Sequence, residues 1–146
     1  MAEKKTRGGP KTRCSGAWTE AKFRSFIKGN LRRSTMKWAP INQCKRAARV
    51  RRGFYLCAGC KEEVPASMKE EGSRRRSNNV HVDHIKPIID PAVGWTTWDD
   101  CIERMFCELE NLQVLCTKCH KEVTDAEKQI AKERRAEEKL EKSIEE

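Results

Sequence analysis

At 146 residues, 37% apolar and 36% charged, the chain has the length of one domain but too little apolar content for a large core, so a metal staple is expected. No apolar run is long enough to span a membrane, and the basic start lacks the apolar region of a signal peptide; a cytoplasmic protein with no membrane partner is expected. The net charge of +9 is uneven, with +14 over residues 1–56 and −5 over residues 57–146. So basic a front third reads as a polyanion-binding surface, nucleic acid above all. Its cations alternate with apolar residues at helical spacing, a pattern that a merely solubilising tail does not need.

In chain order, residues 1–16 read as a flexible basic arm. Residues 17–56 read as a basic helical extension. Phe23, Phe26, Ile27 and Leu31 recur at helical spacing behind Thr19 as a cap, with Lys22, Arg24 and Lys28 opposite. Ser34–Pro40 interrupts the pattern, and Pro40 suits the first turn of a second helix over Ile41–Arg52. That helix turns Ile41, Cys44 and Ala48 inward. Lys45, Arg46, Arg49, Arg51 and Arg52 are the candidate contacts to a phosphate backbone.

Phe54–Leu56 then leads as a strand into Cys57-Ala58-Gly59-Cys60, where Gly59 suits a left-handed turn. Ser67–Asn79 reads as a loop, with Arg74–Arg76 as a further phosphate contact or a solvated run. Val80–Ile85 is a strand that Pro87 helps to end, and Thr97 with Asp100 begins an inserted helix over residues 97–107. Residues 57–124 thus form the central domain. Residues 125–146 form a charged, exposed helix that frays beyond Ala136.

Two pairs, Cys57/Cys60 and Cys116/Cys119, have the spacing of zinc knuckles, although fifty-five residues separate them. Four thiolates fill a tetrahedral zinc and leave no place for water, so this metal is structural. Cys44, Cys101 and Cys107 read as small core residues and Cys14 as a free thiol. Chemistry must come from elsewhere. Asp83 and His84 lie side by side, and His120 directly follows the second knuckle. Carboxylate oxygen plus imidazole, with positions left for water, suits Mg²⁺, Mn²⁺ or a similar divalent ion. Strand alternation sends Asp83 and His84 to opposite faces, so use of both calls for a bend there.

Val82-Asp83-His84-Ile85-x-Pro87 followed by Glu110-Asn111-Leu112-Gln113-x-Leu115-Cys116-x-x-Cys119-His120 resembles the motif of the HNH endonucleases. Over residues 57–124 the chain looks like the zinc-stapled members of that family, and more widely like small bacteriophage HNH endonucleases. The resemblance implies an α+β fold: a ββα-metal core with a four-cysteine zinc site, flanked by basic N-terminal helices and a charged C-terminal helix. It implies His84 as general base, and Asp83 and His120 as ligands of one catalytic Mg²⁺ or Mn²⁺. Asn111 would either orient His84 through its backbone or complete the metal shell. The implied reaction hydrolyses DNA to 5′-phosphate and 3′-hydroxyl ends. Where many relatives carry Lys-Thr after the last histidine, this chain has Glu122-Val123-Thr124, which removes one cation from the expected phosphate contacts. His81 has no role in the family pattern.

Two other readings stand beside the nuclease. One is a zinc-stapled DNA-binding module without catalysis. The other is an accessory factor whose partner is a phage packaging or replication protein, with the C-terminal helix either its docking surface or solvated decoration. The binding module has no need of Asp83, His84, Asn111 and His120 together, whereas in the accessory factor cutting would be one part of a larger complex. No dimer interface is legible.

Overall fold

The computed structural model describes residues 8–145. Residues 1–7, the start of the expected basic arm, and residue 146 lie outside the described residues. The chain divides into two compact units, Met1–Met36 and Lys37–Glu146. Among the described residues, no helix is long and apolar enough to cross a membrane.

In the first unit, β1 (Lys11–Arg13) pairs antiparallel with β2 (Trp18–Thr19), so part of the expected arm is a short hairpin. Its turn runs through Cys14 and Ser15 (both φ 52°) and Gly16 (φ 83°). The Arg13 guanidinium explains the order. It donates to both Glu20 carboxylate oxygens, at 2.9 and 3.0 Å, and lies 4.2 Å from the centre of the Phe23 ring. α1 (Glu20–Ser34) begins as expected, with the Thr19 hydroxyl accepting from the Lys22 amide.

The second unit opens with α2 (Ala39–Ala48), which has Pro40 in its first turn and Cys44 buried. This helix ends at Ala48, short of the expected Arg52. The next residues, β3 (Arg49–Arg51), are taken up in antiparallel pairing with β4 (Phe54–Leu56), which also pairs with β5 (Glu63–Pro65). The expected loop over Ser67–Asn79 contains a hairpin of β6 (Ser67–Lys69) and β7 (Arg76–Asn78), pinned by Arg76 donating to the Ser67 hydroxyl and carbonyl.

β8 (Val80–His84) and β9 (Leu112–Cys116) form a regular antiparallel pair in which Val80 faces Cys116 and His84 faces Leu112. Between them, α3 (Trp98–Met105) is capped by Thr97 as expected and buries Cys101 and Met105. It ends two residues before the expected Cys107. β9 runs directly into α4 (Thr117–Glu145), which is continuous past Ala136 rather than frayed.

The core is small and lies on the β8–β9 pair. Cys44, Val80, Leu112 and Val114 cluster with Ile41, Ala48, Tyr55 and Val82, so α2 covers one side of the pair. Cys57, Leu115 and Cys116 form a second cluster with Ala58, Cys119 and Val123, around the cysteines. The unit is a mixed α/β fold held by few buried side chains, the condition under which a metal contributes most.

Candidate metal centres and basic cleft

The four expected cysteines converge. The sulfurs of Cys57, Cys60, Cys116 and Cys119 all lie within 4.8 Å of one another. Zinc–sulfur bonds of about 2.3 Å in a tetrahedron place the sulfurs about 3.8 Å apart, so the donor set and its spacing fit such an ion. The first knuckle is held by Lys61 N–H to the Cys57 carbonyl (3.0 Å) and Ala58 N–H to the Val114 carbonyl (2.8 Å), which ties it to β9. Its left-handed residue is Lys61 (φ 62°), not Gly59 as expected. Glycine is needed at 59 for another reason. A Cβ there would lie 2.9 Å from both Cβ and Sγ of Cys119.

The backbone also sets the charge on the sulfurs. Burial pushes the Cys57 thiol up, but N–H groups of Cys116, Cys60 and Gly59 outweigh it and bring Cys57 down to about 6. Cys119 is pushed up to about 12 by its hydrogen bond with Cys116, by burial and by its other sulfur neighbours. One thiolate is thus favoured beside two thiols, Cys60 and Cys119, that are held above their ordinary range. That arrangement can hold a metal.

A second convergence lies on the α4 side of β8. Asp83 Oδ1 is 3.8 Å from His120 Nε2, and the Gln113 amide donates to Asp83 Oδ2 at 3.2 Å. His81, two residues before Asp83 on the same strand face, stacks on His120 with ring centres 4.8 Å apart and planes 22° apart. Burial, the His120 ring and the Lys45 ammonium hold His81 below its ordinary range. Glu127, two turns beyond His120, is held above the usual carboxylate range by burial and then by the Asp83 charge. The two side chains are partly open to solvent, with exposures of 16% for Asp83 and 37% for His120.

His84 leaves the strand on the other side. Pairing is regular through His84, so the expected bend between it and Asp83 is not present. Its Nε2 lies 2.9 Å from the Met105 carbonyl. A carbonyl only accepts, so Nε2 carries the hydrogen, and in the neutral ring the lone pair is on Nδ1. Asn111 secures the residues that follow. Its side chain accepts from the Lys86 amide at 2.8 Å and donates to the Lys86 carbonyl at 3.2 Å, while its carbonyl accepts from the Ile85 amide at 2.9 Å.

Of the five expected DNA-contacting cations, Lys45, Arg46 and Arg49 line one cleft of about 480 Å³ together with Asn42 and Tyr55. Arg51 is elsewhere, paired with Glu63 and lying 3.8 Å from the centre of the Phe54 ring, and Arg52 is exposed in the turn before Gly53. The cleft can receive an anionic backbone, with Tyr55 as an aromatic wall.

Several contributors escaped sequence reasoning. Asn79, only 4% exposed, donates to the Pro65 carbonyl and accepts from the Thr117 amide, joining the β5 strand to the start of α4. Gln113 could have been found from alternation, since it lies opposite Asp83 once the register is fixed. Comparison of the chain with protein-family models, with curated proteins and with solved structures gives no match in any of the three.

Proposed function

We propose that this chain is a metal-dependent endonuclease of the HNH type that hydrolyses DNA phosphodiester bonds, with structural zinc on its four cysteines. The observation that carries this reading is the approach of Asp83 on β8 to His120 on α4, 3.8 Å apart, where two antiparallel strands run into a helix. With ligand bonds of about 2.1 Å, two donors on one ion are at most about 4.2 Å apart, so the pair is within bridging reach of a small divalent ion completed by water. When bound, such an ion supplies charge stabilisation to the phosphate and the leaving 3′ oxygen.

The chain's own residues do the rest. His84 takes a proton from the attacking water at Nδ1, the nitrogen left open by the Met105 carbonyl. Asn111 keeps that imidazole in place by fixing Ile85 and Lys86, the first of the two roles that the resemblance allows it. Gln113 holds the Asp83 carboxylate. Because β8 stays straight, a phosphodiester reaches both residues only by lying across the end of the strand, with Asp83 on one face and His84 on the other, while Lys45, Arg46 and Arg49 take neighbouring phosphates.

The test is cleavage of supercoiled plasmid by zinc-loaded protein, with and without added Mg²⁺ or Mn²⁺. Relaxed circles that require the added metal support the reading. A salt-sensitive gel shift with no cleavage under any metal would leave a DNA-binding module instead.

A further inference from the structure

His81 is the one histidine that the proposed mechanism leaves unused. We infer that it is a positioning residue, whose ring stacks on His120 and holds that imidazole aimed at Asp83. The inference rests on the nuclease reading of Asp83 and His120.

Three observations carry it. The two rings lie nearly parallel at a 4.8 Å centre-to-centre distance, so their lone pairs, which lie in the ring planes, run side by side and do not converge on one ion. Stacking therefore favours support over shared ligation. His81 is itself fixed: its Nε2 lies 3.0 Å from the Thr117 hydroxyl, and that hydroxyl donates to the Asn78 carbonyl at 3.3 Å. With the hydroxyl hydrogen used there, His81 Nε2 is the donor. Lastly, Thr117 adjoins Cys116 and His120 adjoins Cys119. Both rings are thereby mounted on the second cysteine pair, and the closed site sets the geometry of the open one. Partners that orient a ligating imidazole are part of such sites generally.

The test measures Mn²⁺ affinity of the full zinc-loaded chain without DNA, alongside kcat and KM for plasmid cleavage. It compares Asp83→Ala, His81→Ala and His81→Phe, each checked for melting and zinc content. Asp83→Ala loses Mn²⁺ binding if the underlying site is correct. His81→Ala is then expected to weaken Mn²⁺ about tenfold and lower kcat with KM for DNA unchanged. His81→Phe, which restores a flat ring but no nitrogen, is expected to recover most of both. Wild-type affinity and kcat in His81→Ala, with Asp83→Ala inactive, would overturn the inference and leave the nuclease standing. Equal loss in His81→Ala and His81→Phe, down to the level of Asp83→Ala, would make His81 a ligand and overturn positioning. Unchanged Mn²⁺ binding in Asp83→Ala would remove the metal site and this inference with it.

Discussion

The four cysteines and the Asp83–His120 pair both draw on the first turn of α4, through Cys119 and His120, yet they are built in opposite ways. The cysteine site is complete within the chain: four sulfurs, amide donors aimed at Cys57, and a glycine where Cys119 comes too close for a side chain. The Asp83–His120 pair has two polar side chains, partial exposure and one neighbour, Gln113, holding the carboxylate. A closed site can hold a fold but cannot turn over substrate. An open one can do chemistry only if something else holds it still. In this chain the two are consecutive, because His120 follows Cys119 directly.

That contrast predicts a descending series of effects. Breaking the closed site should be the most damaging. Cys116→Ser is expected to abolish cooperative melting by circular dichroism, because the metal's contribution rivals the roughly 5–15 kcal/mol that holds a domain of this size. Acid should act in the same direction. Cys57 is held at about 6, below its ordinary value of 9.0, so its contribution to the stability of the fold is full above pH 9, shrinks as pH falls and is gone below pH 6. Metal release to a chromophoric indicator and loss of helicity should then set in together.

Damage to the open site should leave the fold intact. His84→Ala is expected to lower kcat about 10²–10⁴-fold, with melting and DNA affinity unchanged. A variant that loses melting temperature in proportion to activity would instead make His84 a structural partner of Met105.

Between the two lies Asn79. Asn79→Ala leaves the Pro65 carbonyl and the Thr117 amide without their side-chain partner, and should cost about 1–3 kcal/mol in denaturant unfolding. The smallest effect on chemistry should come from the cleft. Removing the charges of Lys45, Arg46 and Arg49 should weaken DNA binding and make its salt dependence shallower, by about 0.9 in slope for each phosphate no longer neutralised, with kcat retained at saturating DNA.

What the sequence made legible was local. Thr19 and Thr97 act as caps because capping needs only residues three apart, and the cysteine spacing reports a turn that any knuckle uses. Interactions across the chain were not legible. The β6–β7 hairpin has Arg, Ser and Asn where strands favour β-branched residues, and depends on Arg76 reaching Ser67. Helix α2 stops at Ala48 because β4 offers a pairing edge to Arg49–Arg51, a competition that periodicity cannot register. At the site, Asp83 and His120 could be picked out by residue type. The His81–His120 stack, the Gln113 hydrogen bond and the fixed ring of His84 required the register of β8 against β9 and the path of α3.

The most direct test of the division between closed and open sites is to count zinc and measure Mn²⁺-dependent cleavage in the same preparations of wild type, Asp83→Ala and His120→Ala. The account predicts one zinc per chain in all three and cleavage in the wild type alone. Loss of zinc from either variant, or full cleavage by both, would contradict it.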